Sequence, residues 1–260
     1  MEEIIVCAPR SLPRERRAEA DENAATINPQ NKEPWGGLAS VVPGLAAERQ
    51  PLAVDVKRYW GKGGVKLTVG FLDNPPADLR ARILQHMNAW NKTANVQFVE
   101  SSTNPDVRIA RQGGASGGYW SYVGTDIRLI PRNDPTMNLE AFTMQTPESE
   151  FVRVVRHETG HTMGFPHEHM RKQLVDKIDP QKAIQYFRRT QGWSPADVRA
   201  QVLTPLEQSS IRGTLFADPK SIMCYQLPGS IMKDGQPIVG GTDIDESDFT
   251  FAGLLYPKPS

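Results

Sequence analysis

An α+β fold built on a mixed, mostly parallel sheet is what this sequence predicts, and three observations predict it. A β-branched apolar run, VKLTVGFLD (65–73), is followed at once by an amphipathic helical stretch, NPPADLRARILQHMNAWNK (74–92). Short strand-like runs then succeed one another between 96 and 131, and a long helical stretch at 146–164 follows them. One strand, a helix and then several strands make a sheet with helices packed on it.

Taken in order, residues 1–50 differ from the rest. They are rich in Ala, Arg, Glu, Asn and Pro and show little periodicity, so they read as an extension, partly disordered or lying along the surface. In 74–92, Asn74 is placed to cap the helix and Pro75 to open it. Leu79, Ile83, Met87 and Trp90 recur on one face; His86 falls off that stripe and reads as a surface residue. VQFVES (96–101) and DVRIARQ (106–112) are strands. A glycine-rich turn leads into two short strand-like runs, YWSY (119–122) and TDIRLI (125–130). In 146–164, Thr146 can cap, Pro147 suits the first turn, and Glu148 and Glu150 suit its positive end. Gly164 marks the stop, because glycine enters the left-handed conformation cheaply. Helices at 179–191 and 194–203 each open with a capping residue and a proline. The remainder, including 217–230 and 245–257, reads as a loop-rich C-terminal part.

Composition narrows the partners. Thirty basic and thirty acidic residues cancel, which argues against nucleic acid or an anionic membrane. No apolar run approaches the roughly 18–20 residues that span a bilayer. The start, MEEIIVCAPRSLPRERR, lacks the basic and apolar regions of a signal peptide. Cys7 and Cys224 are the two cysteines, so at most one disulfide forms. Monomer is the default expectation.

The chemistry is concentrated in RHETGHTMGFPHEHMRK (156–172), which holds four of the five histidines. His157 and His161, four apart on a helix, present both imidazoles on one face, where they grip one ion. Gly164 releases the chain, and His167 swings back as a third ligand. Three neutral imidazoles leave zinc its full charge and an open position, a device for hydrolysis; Glu158 beside the site is the general base that takes the proton from water. A structural site would want a fourth ligand. His169 would have to fold back tightly to be one, and it is read as standing outside the set.

The extended motif resembles the metzincin signature, and SIMCY (221–225) resembles its downstream Met-turn, with Met223 as an apolar floor under the ion. Within that clan the sequence is similar to the astacin family over roughly 51–257. The astacin Met-turn reads S-[IV]-M-H-Y, and its tyrosine, a further zinc ligand that can swing away to the oxyanion, is matched by Tyr225; Cys224 replaces the histidine. GGYWSYVG (117–124) resembles the family's G-C-W-S-Y-V-G edge strand, HEHMR its H-E-[HQ]-x-R, and DESDFTFAGLLY its closing S-x-x-D…L-Y.

The resemblance implies a zincin/metzincin fold with an antiparallel edge strand and an active-site helix. It implies a catalytic domain over 51–260, divided at 167/168. The implied activity is a zinc endopeptidase with one catalytic Zn2+ and polypeptide substrates, the non-primed cleft lined by Tyr119, Trp120, Ser121 and Tyr122. It places Glu168 against the mature N-terminus; the alternative is a surface salt bridge. Both family disulfides are missing, which fits a reducing compartment or a minimal relative, whereas the family itself implies secretion. The propeptide motif F-x-G-D is also missing. Residues 1–50 end where astacin maturation falls, near Arg49–Gln50, and make a candidate latency segment, with Cys7 a candidate thiolate plug for the zinc or else a free cysteine in a tail. Two further alternatives are a matrixin-type protease, disfavoured by Tyr225 and YWSYVG, and an idle peptide-binding module, disfavoured by the intact Glu158.

Overall fold

The computed structural model describes residues 7, 10, 12–32, 54–55, 57–206, 211–212 and 217–259. Its main sheet has five strands: β2 (Val65–Phe71), β3 (Val96–Glu100), β4 (Val107–Ala110), β5 (Tyr119–Ser121) and β6 (Met137–Leu139). They lie in the order β3-β2-β4-β6-β5. The first three pairings are parallel, and β5 runs antiparallel to β6 at the edge. β1 (Val54–Asp55) and β7 (Ile211–Arg212) form a separate antiparallel pair. β2 and β3 alternate buried and exposed positions, as strands with one face on the core do, whereas β4, in the middle of the sheet, is buried at all four. β6 is three residues long inside DPTMNLEAF, too short to show an alternation the sequence could reveal.

The helix over Ala77–Met87 buries Leu79, Ile83 and Met87, and Trp90 follows on the 3-10 turn Asn88–Lys92. Its entry differs from expectation. Pro76 holds the cap position, while Asn74 sits at φ +45° and turns the chain instead of capping it. His86 is not on the surface: it is 3% exposed, 5.5 Å from the Phe151 ring and 3.2 Å from the Glu148 carboxylate. A one-helix stripe misses it because a second helix, entering at Glu148, covers the neighbouring face.

Two other segments also depart from expectation. TDIRLI lies in a 3-10 helix, Gly124–Leu129, and not in a strand. Gly124 decides this: at φ +51° it lets the Arg58 carbonyl occupy the space of its missing Cβ, and the chain turns there. The stretch 245–257 contains a helix, Glu246–Leu255. Asp245 and Asp248 cap it reciprocally, and Phe251, Ala252 and Leu255 enter the core.

The extension is ordered over its described part. A helix, Arg17–Ile27, buries Ala20 and Ala24 and lies on the 3-10 helix Gly124–Leu129. Arg58, itself buried, binds Asp21 of the extension (2.8 Å) and Asp126 of the body (2.5 Å). Asn31 Nδ2 donates to the Tyr59 carbonyl at 2.9 Å. Low hydrophobicity hid this docking, because small alanines and an ion pair make it. Arg49 and Gln50 lie outside the described residues.

Two apolar clusters organise the interior. One, under the sheet, includes Trp90, Phe151, Phe165, Ile222 and Met223. The other includes Phe187, Val198, Val202, Cys224 and Tyr225. They meet within the stretch Ile222–Tyr225. Asp248 anchors that stretch: Ser221 Oγ donates to it at 2.7 Å and the Ile222 N–H at 2.9 Å. Burial, with Asp245 nearby, pushes the Asp248 carboxyl up to about 7 against these hydrogen bonds. The folded state therefore holds a proton that the unfolded chain has released, and stability from this group falls as pH rises from about 4 to about 7. Asp248→Asn should lose that slope, gaining on the parent as pH rises through the window in urea unfolding. Parallel curves would contradict it. Among the described residues no helix is long and apolar enough to cross a membrane.

Candidate active site

The helix carrying the site starts with one turn, Glu148–Glu150, passes through a π-helical stretch, Phe151–Val155, and continues as Arg156–Met163. His157 and His161 sit one turn apart with rings at 4.8 Å. Each ring is fixed from behind: His157 Nδ1 donates to the Ile222 carbonyl (2.6 Å) and His161 Nδ1 to the Phe165 carbonyl (2.7 Å). That leaves both Nε2 atoms with lone pairs. Gly164 ends the helix at φ +103°, and the chain returns His167, whose Nε2 lies 3.1 Å and 3.0 Å from those of His157 and His161.

His167 Nδ1 has no hydrogen-bond partner among the described residues, so its Nε2 either donates to one of the other two or joins them on a shared cation. Their spacing is close to the roughly 3.3 Å edge of a tetrahedron with bonds of about 2.05 Å, the length zinc takes to imidazole. Burial holds His157 down to about 4 and His161 and His167 well below the ordinary imidazole value, so all three are neutral, the form that binds metal. The donor set fits zinc.

Gly164 is needed for this return. A left-handed residue with a Cβ costs roughly 1–2 kcal/mol. Gly164→Ala should lower stability by about that much and weaken zinc binding, measured by unfolding and by competition with a chelator. Unchanged zinc affinity would separate the turn from the site.

Met223 is wholly buried against Gly160 of the helix; a Cβ at 160 would strike its sulfur. Its carbonyl accepts the Glu168 N–H at 2.9 Å, pinning the third-histidine segment to the Met-turn. Glu168 itself is fully buried and pairs with Arg171 at 3.2 Å, so the pair is not a surface salt bridge. Its Oε2 has no hydrogen-bond partner among the described residues.

Glu158 is fully buried, with neither oxygen hydrogen-bonded among the described residues, and burial pushes it up to about 8. It shares a cavity of about 40 Å3 with Cys7, Tyr119, Arg153, His157, Cys224 and Tyr225. The Cys7 sulfur lies within 4.8 Å of the ligand atoms of all three histidines. Burial, and next the Glu158 charge, raises its thiol well above the usual value. The Tyr225 ring stands 4.2 Å from His167; its phenol is buried beside Cys7 and Glu158 without a formed hydrogen bond. Cys224 is a packed thiol. His169 points away from the histidine trio, its Nε2 donating to the Gln201 carbonyl at 3.0 Å.

The predicted substrate strand is β5. Its side chains divide: Tyr119 lines the cavity, whereas Trp120 and Ser121 are buried. Ser121 Oγ meets Thr162 Oγ1 of the active-site helix at 3.1 Å. Its outer backbone edge is engaged by the extension. Arg10 N–H donates to the Ser121 carbonyl (3.0 Å) in a parallel bridge with Tyr122, and the Arg10 guanidinium lies 3.6 Å over Trp120. Arg10, Arg58 and Arg153 were missed in the sequence. Arg153 alone left a signal: with His157 and His161 it repeats every four residues on one helix face.

A family model described as Astacin, a peptidase family, matches residues 54–185. The chain is 27% identical over 172 residues to the zinc metalloproteinase nas-27 of Caenorhabditis elegans, covering 65% of this chain and 36% of that relative's length. Two solved structures of myroilysin are similar, at 29% identity, TM-score 0.74 and coverage of 80% of this chain and 100% of that one, and at 28%, 0.59, 85% and 96%. A hatching-enzyme zinc protease from medaka, Oryzias latipes, shares the fold at 19% identity and TM-score 0.51, over 78% of this chain and 96% of that one.

Proposed function

The chain belongs to the astacin family of peptidases, and from that premise we propose that it is a zinc endopeptidase whose own N-terminal segment keeps it latent. The observation that carries the reading is the meeting of three clustered imidazoles, a buried carboxylate and the Cys7 sulfur. His157, His161 and His167 hold the zinc. When bound, it supplies Lewis acidity that polarises a peptide carbonyl and makes water a better nucleophile at neutral pH.

The remaining steps belong to this chain's residues. β5 adds the extended substrate as one more strand, as Arg10 already pairs there. Glu158 takes the proton of the attacking water on its carboxylate and passes it to the leaving amine. The Tyr225 phenol donates to the developing oxyanion. Buried walls keep bulk water from these transfers. In the latent form, Cys7 would join the three histidines in holding the metal, and Arg10 covers the β5 edge.

Arg153 adds a preference. Glu150 engages its Nε and Nη2 (3.1 and 2.7 Å), leaving Nη1 for the cavity. A charge-assisted hydrogen bond nets about 1.5–3 kcal/mol, so peptides with an acidic side chain beside the scissile bond should be cut about ten- to a hundred-fold faster than their amides. Arg153→Ala should flatten that ratio in competition assays; an unchanged ratio counts against it.

The test of the reading is cleavage of a denatured protein by the zinc-loaded chain after its N-terminal segment is displaced, with and without chelator. Chelator-sensitive internal cuts, mapped by mass spectrometry, are expected. Their absence refutes endopeptidase activity.

A further inference from the structure

Within the histidine cluster, the fourth member has a feature that zinc ligation does not use. The His169 ring lies 4.0 Å from the Tyr225 ring at an interplanar angle of 16°, the closest and flattest ring contact Tyr225 makes among the described residues. His169 is fully buried, and its Nε2 is tied to the Gln201 carbonyl in the π-helical stretch Arg199–Leu203. Its backbone belongs to the 3-10 turn Glu168–Met170, which begins one residue after His167. That turn is pinned by Glu168 N–H to the Met223 carbonyl, two residues before Tyr225. The imidazole is therefore held at both ends, and it forms a fixed plane against which the phenol ring rests.

We infer that His169 is a positioning residue: a shelf that sets the plane of Tyr225, so that the phenol oxygen is delivered to the metal and the oxyanion along one arc. This rests on the reading of Tyr225 as the residue that serves both. Stacking confines rotation out of the shared plane and leaves rotation within it free, which suits a phenol that moves between two partners in one site. An aliphatic neighbour would pack as tightly without choosing a plane. A tyrosine with one stacked face loses less freedom when it meets the oxyanion, so the gain appears in the chemical step and not in substrate binding. His167 makes a poorer plane for it, at 4.2 Å but inclined at 53°.

The test uses the full chain carrying Cys7→Ser, with Cu2+ in place of zinc, because phenolate bound to Cu2+ gives a visible charge-transfer band. His169→Ala should weaken that band several-fold, whereas His169→Phe, which keeps a stacking plane, should retain most of it. With zinc restored, His169→Ala should lower kcat about ten-fold with little change in KM, and it should cost less than about two-fold when Tyr225 is already Phe. An unchanged band, or an equal loss of kcat in the Tyr225→Phe background, overturns the inference; the latter would show that His169 acts through His167 or the fold. A band absent before His169 is altered sinks the assignment of Tyr225, and the inference with it. Chelator-sensitive cleavage in that case would leave the endopeptidase reading standing.

Discussion

Glu158→Gln should give a folded protein that binds zinc normally and cleaves peptides about 100- to 10,000-fold more slowly, the range general acid–base catalysis supplies. The expectation comes from its surroundings. Both carboxylate oxygens are buried without hydrogen-bond partners among the described residues, and burial pushes the carboxyl up to about 8. A carboxyl whose burial outweighs the help of Cys7 and Arg153 is costly to fold, and that cost needs a return in function. Glutamine preserves the volume and removes the base, so a loss of rate at equal zinc content isolates proton transfer. Activity within ten-fold of the parent would assign the base elsewhere.

The second large effect is on Cys7. Cys7 and Arg10 lie at the cleft, and the extension that carries them is tethered to the body through the helix Arg17–Ile27 and the Asp21–Arg58–Asp126 ion pairs. A tethered thiolate competes with substrate at an effective concentration in the millimolar range. If the cleft is open in about 1% of molecules, activity is about 1% of its limit, and Cys7→Ser should raise it toward 100-fold. A second readout does not depend on activity. With Cys224→Ser as background, alkylation of Cys7 should be slow in the zinc-loaded protein and fast after chelation. Equal activity of the parent and Cys7→Ser, together with zinc-independent alkylation, would return Cys7 to the role of a cysteine in a tail.

How much of this could be read before folding depends on how local each signal is. The spacing of His157, His161, Gly164 and His167 lies within a helix and its exit turn, and helical geometry alone forces it into one site. β2 and β3 showed themselves by alternation, Val65, Leu67 and Val69 and then Val96 and Phe98 facing the core, whereas β4 is buried at all four positions. TDIRLI misled because alternating apolar residues serve a 3-10 helix beside Gly124 as well as a strand. His86 misled because its burial is caused by Phe151, sixty-five residues away. The helix Glu246–Leu255 was hidden behind an acidic opening that reads equally as loop.

The amino-acid sequence by itself determined the family and its ion, and it nominated the base, since each follows from residues a turn or two apart or from short motifs such as SIMCY. Only the tertiary structure decided what stands around them. It brought Cys7, 150 residues before His157, to within 4.8 Å of the three histidines. It laid Arg10 on the β5 edge, and it set His169, already read as standing outside the ligand set, as a plane against Tyr225. Those contacts close long loops, and no local periodicity records where a long loop will close.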